Sequence, residues 1–388
     1  CSISSPSASS NSRANETDMT TLIPTEDETM LRDAARGFLD DAAPVANLRA
    51  NRDAGRSHDP DLWDEMVKMG WAGVLVGERD GGSDMGFAAA NTLAEEMGRT
   101  LVASPFLSTA VIAATALRFD AQGAALAAIA AGERTYALAI DEGPKFAPDT
   151  ANMTAAASGN GFRLSGHKTF VGEGTSASRL LVVARGDAGL TLFDIEADRA
   201  GIARHKLDLV DSRDHAHIDF DGVEATGEDV VGEVGGAMEV LSPALRAGQA
   251  ALAAELTGLS AGAFGMTAAY LKERKQFGRH IGSFQALQHR AAHRWSEIEV
   301  TASTVINAGR VLDATPEEAD LAVSLAKARA TETANLAVRE GVQMHGGIGM
   351  TDEYDMGFYM KRARVAGEWL GDYGYHAAVV ARARGMVA

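Results

Sequence analysis

The segment RKQFGRHIGSFQ, Arg274 to Gln285, sets a guanidinium, an amide and two aromatic rings around two glycines, between alanine-rich stretches of helical spacing. Clustered cations, aromatics and glycines are unexpected between helical stretches, and they raise the question of what the segment holds. A second stretch, QMHGGIGM from Gln343 to Met350, offers another glycine pair. Taken alone, that pair equally fits a helix end.

Other patterns carry less. GLSAG, Gly258 to Gly262, matches the G-x-S-x-G elbow of hydrolases, but the elbow requires a strand before its serine, and AALAAELT is helical. Small residues that let two helices touch explain it better. His289, His293 and Glu297 line one helix face at four-residue spacing, yet no matching Glu-x-x-His motif stands elsewhere, so a solvated face is expected rather than a metal site. The cations of KRAR, residues 361–364, and of His289 to Arg294 read as solvent-facing helix charges.

These motifs need elements to hold them. Apolar residues recur at helical spacing through residues 19–135, with Thr25 and Glu28 forming a capping box and GERDGGSDMG a long internal loop. From Tyr136 the texture becomes short, partly alternating apolar runs with a GNG turn, which predicts an antiparallel sheet over 136–231. Residues 232–388 return to helix, at least two long and a shorter final pair, as in a four-helix bundle. The expected fold is mostly α with a central β domain. Residues 1–18 are expected to be a disordered leader or expression remnant, with Met19 a natural start.

Composition excludes several roles. The 388 residues hold 36 Lys+Arg against 53 Asp+Glu, a formal charge of −17 that repels nucleic acid. The single cysteine, Cys1, leaves no internal disulfide or cysteine-based zinc site, and no apolar run approaches membrane-spanning length, so a cytoplasmic protein is expected.

Together, RKQFGRHIGSFQALQHR, QMHGGIGMTDEY and the pair GERDGGSDMG and LAEEMGR resemble the acyl-CoA dehydrogenase family. The resemblance implies α,β-dehydrogenation of an acyl-CoA thioester with FAD, electrons passing to an electron-transfer flavoprotein, in a homo- or hetero-tetramer. Arg274, Gln276, Phe277, Ile281 and Phe284 would contact the diphosphate and adenosine end of FAD, with Gln343 and Gly347 supplied by the adjacent chain. LSGHKTFVGEGTSA is similar to the family's sheet motif, which puts Phe170 and Gly172 at the isoalloxazine, although glycine offers only backbone there. The preceding loop survives only as AIDEGPKFAP.

The base is missing from both places the family uses. Counting by position puts them on Leu370 and Gly248, neither of which accepts a proton. A lost general base typically costs about two to four orders of magnitude in rate. Glu368, Asp372 and Glu255 are the nearest carboxylates, but Glu368 lies about 200° around a helix from position 370. The catalytic residue is therefore left open, and the alternative is a non-catalytic subunit of a heteromeric dehydrogenase that lends half a flavin site to its partner. Direct use of oxygen, as in an oxidase, also stays open.

Overall fold

The computed structural model describes residues 22–119 and 122–387; the expected leader and Met19 lie outside them. Six α-helices come first: α1 (Glu26–Ala42), α2 (Val45–Asp53), α3 (Pro60–Lys68), α4 (Gly86–Arg99), α5 (Ala114–Phe119) and α6 (Gly123–Ala130), with a π-helical segment, Phe106–Ala113, leading into α5. The capping box is real: Glu28 N donates to Thr25 Oγ1 at 3.1 Å and Thr25 N donates to Glu28 at 2.7 Å. GERDGGSDMG forms a short 3-10 turn and loop that leads into α4.

The middle sheet comprises β1 (Tyr136–Ala139), β2 (Thr154–Ser158), β3 (Gly161–Gly172), β4 (Arg179–Gly186), β5 (Gly189–Glu196), β6 (Ile202–Lys206), β7 (His215–Ala225) and β8 (Val230–Val231). GNG makes the β2–β3 hairpin, with Gly159 at φ +58°. The sheet is not purely antiparallel, because β1 and β2 both pair with β4 in parallel. Alternation within single strands does not encode pairing direction, so composition could not reveal this.

The last third holds α7 (Ala237–Glu273), a hairpin of β9 (Lys275–Gln276) and β10 (Arg279–His280), then α8 (Gln285–Ala314), α9 (Asp320–His345), α10 (Met356–Glu368) and α11 (Tyr373–Ala383). The long helices number three, α7 to α9, and α10 and α11 are the shorter final pair. GLSAG lies inside α7, and its glycines are contact points: a Cβ on Gly258 would sit 1.7 Å from the Glu95 carbonyl oxygen, and one on Gly262 2.4 Å from that of Arg99. Helix α4 therefore rests directly on α7 backbone. His289 and His293 are exposed on α8, Glu297 pairs with Arg329, and no metal-holding cluster occurs among the described residues.

Candidate active site

The segment after α10, Trp369-Leu370-Gly371, is pinned by buried polar groups. Leu370 is 2% exposed with φ +56°, a left-handed conformation that costs a non-glycine residue strain and persists only where surroundings enforce it. The enforcement is visible: the Leu370 carbonyl accepts from Gln249 Nε2 and is met by His376 Nε2, each at 3.1 Å, and Lys327 Nζ donates to the Gly367 and Gly371 carbonyls at 3.0 and 3.1 Å. Burial pushes the Lys327 ammonium down to about 7.

Across from this segment stands Gly248 of α7. A Cβ there would lie 2.9 Å from Leu370 Cδ1 and 2.7 Å from Ile112 Cγ1. The two positions singled out for a base therefore meet, and their meeting point is filled by Leu370 and Ile112. All three neighbouring carboxylates are ion-paired. Glu368 turns outward and pairs with Arg364 at 2.8 Å, Asp372 caps α11 and pairs with Lys145, and Glu255 is held by two arginines.

Those arginines belong to a buried quartet. Arg213 reaches Asp211 at 2.9 Å and Glu255 at 3.1 Å; Arg362 reaches the same two carboxylates at 3.1 and 3.3 Å. Two cations and two anions close a balanced network, without which each buried charge would be prohibitively costly. Burial pushes the neighbouring Glu173 carboxyl up to about 8, where Ser108 hydrogen-bonds it. Between these groups and Met97, Phe106 and Leu107 remains a void of about 20 Å³. That admits a water molecule but no acyl chain.

Trp369 is the other wall of the void. Its indole lies edge-on to His215 at 5.2 Å, beneath the Arg213 guanidinium at 5.3 Å, and against Gly172, where a Cβ would be 2.4 Å from Trp369 Cζ2. Gly172 is thus buried under an indole. Phe170, two residues earlier in β3, is 42% exposed at φ +52° and opens onto a cavity of about 350 Å³ on the far side of Trp369.

The remaining predicted residues gather at one end of the bundle. Phe277 and Gly278 turn the β9–β10 hairpin with φ +56° and +78°, which leaves the Phe277 ring 91% exposed. Phe284 lies 6.2 Å from it and carries the Arg279 guanidinium at 4.0 Å. Arg274 and Gln276 are exposed, Ile281 half-buried. The second motif is next door: Tyr270 of α7 stacks on His345 at 4.5 Å, and Gln343 and Gly347 are exposed, with nothing within 4 Å of a Cβ on Gly347. Both motifs face outward side by side.

The fold and these motifs define an acyl-CoA dehydrogenase scaffold. Residues 25–133 match the acyl-CoA dehydrogenase N-terminal domain and residues 236–384 the C-terminal domain, and the chain belongs to that family. It is similar to acyl-CoA dehydrogenase FadE27 of Mycobacterium tuberculosis, 30% identical over 322 residues that cover 79% of this chain and 83% of the relative. Among solved structures it superposes on the ChsE4–ChsE5 complex of Mycobacterium tuberculosis with a TM-score of 0.86 and 25% identity, over 95% of this chain and 99% of that one. The Tcur3481–Tcur3483 steroid ACAD gives a TM-score of 0.84 and 31% identity, over 94% and 99%.

The residues that sequence reasoning did not single out are Trp369, Arg213, Glu173 and Lys327; Arg362, read within KRAR as a solvent-facing charge, is instead fully buried. One signal was available: glycine in place of a hydroxyl residue at 172 implies that something bulky approaches.

Proposed function

We propose that this chain serves, in the cytoplasm, as the non-catalytic half of a heteromeric FAD-dependent acyl-CoA dehydrogenase, lending its outward-facing bundle end to a flavin whose base stands in a partner chain. The carrying observation is the closed reaction centre: Leu370 and Ile112 fill the place of both bases, and Trp369 covers Gly172. A flavin ring laid against residue 172 needs the volume the indole takes, so that half does not fit the cofactor. No dehydrogenation step is assigned to this chain's residues.

The outer half does fit. Arg274 offers two parallel N–H donors for a diphosphate oxygen pair, Phe277 and Phe284 offer apolar faces to an adenine, and Gly347 leaves its backbone open to approach. A phenylalanine left 91% exposed by a turn of this shape is unfavourable in an isolated chain and sensible at a subunit contact. The two-component complexes among the matched structures point the same way.

The test is to purify the chain alone and co-expressed with candidate catalytic family members, then measure flavin per chain and bleaching by acyl-CoA. Flavin and bleaching only in the co-expressed complex are expected; bleaching by the lone chain overturns the proposal. One observation favours a second reading, a self-sufficient dehydrogenase reducing an electron-transfer flavoprotein. Glu173 is a buried carboxyl poised near neutrality beside Trp369. Under that reading Glu173→Gln abolishes turnover by the lone chain.

A further inference from the structure

Helix α8 sends Arg294 inward, between α7 and α9, although the run His289 to Arg294 reads in the sequence as solvent-facing charge. The side chain is 1% exposed. Its Nε and Nη2 have no hydrogen-bond partner among the described residues, its Nη1 meets the Met344 sulfur of α9 at 4.0 Å, and the Phe264 ring of α7 lies 5.3 Å from the guanidinium carbon. Burial pushes the group down only to about 10, so it stays charged at neutral pH. Two side chains nearby could have answered that charge, and neither does. Glu340 of α9 is held by Arg290 at 2.6 Å. His345 turns Nδ1–H to the Gly341 carbonyl at 2.7 Å, so the Nε2 of its neutral ring carries no proton and no charge. The fold treats its other buried arginines differently, since Arg213 and Arg362 share Asp211 and Glu255. A buried charge with no opposite beside it is strongly destabilising.

We propose that the junction of α7, α8 and α9 around Arg294 binds a small monovalent anion, a halide such as chloride, on the Nε and Nη2 N–H groups. Enclosure sets the size. A side chain 1% exposed is out of reach of a flavin phosphate or a carboxylate from a partner chain, and Met344 and Phe264 leave room for an ion rather than a molecule. Met344 is the yielding wall, because an unbranched thioether chain repacks easily. Charge sets the class: one negative charge completes a neutral pair, whereas a divalent anion would leave a net charge in the core. This site is separate from the outward-facing motifs and does not depend on the subunit reading.

The probe is sodium chloride against sodium gluconate at matched ionic strength, applied to the full chain and to Arg294→Met, which removes the charge and keeps an unbranched apolar side chain. In gluconate the variant should melt about 2 °C or more above the natural protein, because it no longer buries an unanswered cation. Chloride should then raise the natural protein alone, with a saturating dose response that closes the gap. A variant that melts below the natural protein in gluconate, or an equal response of both proteins to chloride, overturns the site; a water molecule or a swing of Glu340 onto Arg294 would give the latter. Bromide soaked into crystals of the natural protein reads the site without any variant. An anomalous peak within hydrogen-bond reach of Arg294 Nη2 is expected, and none there overturns the proposal even if Arg294→Met fails to fold.

Discussion

At the scale of single residues, the segment around Leu370 is held by groups that also titrate. Lys327 is fully enclosed and pushed down to about 7, against an ordinary lysine value of 10.5. Between those two values the unfolded chain carries a proton that the folded chain has given up, so stability must rise with pH across that window, by up to about 1.4 kcal/mol per pH unit. Glu173 acts oppositely below it: the folded carboxyl keeps its proton until about 8 and the unfolded one loses it near 4.5, so this group's contribution falls as pH rises through that range. Above pH 8 the lysine's rise should therefore emerge. Urea midpoints at pH 8, 9 and 10 should climb for the natural protein and stay flatter for Lys327→Met; equal slopes would exclude a neutral buried amine.

Leu370 permits a second experiment at the same scale. A carboxylate there would face Gly248 and Ile112. Leu370→Glu should lower the melting temperature, at a cost of about 2–4 kcal/mol, and should leave the lone chain without acyl-CoA-dependent flavin bleaching. Restored bleaching would show that the base alone was lacking. The subunit reading requires that Trp369 block the site independently.

At the scale of elements, α4 and α7 are fused along glycine. Cβ atoms on Gly98 and Gly258 would fall 2.0 and 1.7 Å from the backbone oxygens of Glu255 and Glu95. Backbone cannot swing aside as a side chain does, so Gly258→Ala should cost about 3 kcal/mol and Gly265→Ala, at an α7 position with nothing within 4 Å, close to nothing. Thermal melts of the pair measure the difference. This contact also shows where sequence reading reaches its limit. The helix periods, the Thr25 cap, the GNG hairpin and the close approach of helices at GLSAG were legible because each is a local rule. The parallel pairing of β1 with β4 was not, nor was the quartet of Asp211, Arg213, Glu255 and Arg362, whose members come from three separated stretches. Position counting did bring Leu370 and Gly248 to one place; the uninterrupted α7 fixes the spacing from Gly248 to Arg274, whereas Leu370 lies just past the end of α10. Trp369 against Gly172 escaped it, because chain separation says nothing of which side chain fills a gap left 197 residues away.

At the scale of the whole molecule, the two ends of the bundle tell different stories. The end facing the sheet is packed around Leu370 and Trp369, with a void of about 20 Å³ on one side of the indole and a cavity of about 350 Å³ on the other. The hairpin end is left open, with Phe277 in solvent, Arg274 and Gln343 exposed, and Ile348 and Met350 45% and 73% exposed beside them. A protein that folds alone has no use for such a face, whereas one that completes a neighbour's cofactor site needs it. Substitutions there should therefore spare the chain and damage the assembly. Phe277→Asp removes an apolar contact and places a negative charge where a diphosphate is expected, so the lone chain should melt within about 1 °C of the natural protein, because a fully exposed side chain contributes little to its own fold. The co-expressed complex should lose flavin on gel filtration, and Arg274→Lys should give a milder loss, since a lysine keeps the charge without the paired donors. Should the Phe277→Asp complex hold as much flavin as the natural one, the hairpin is not at a cofactor, and the open face serves some other contact.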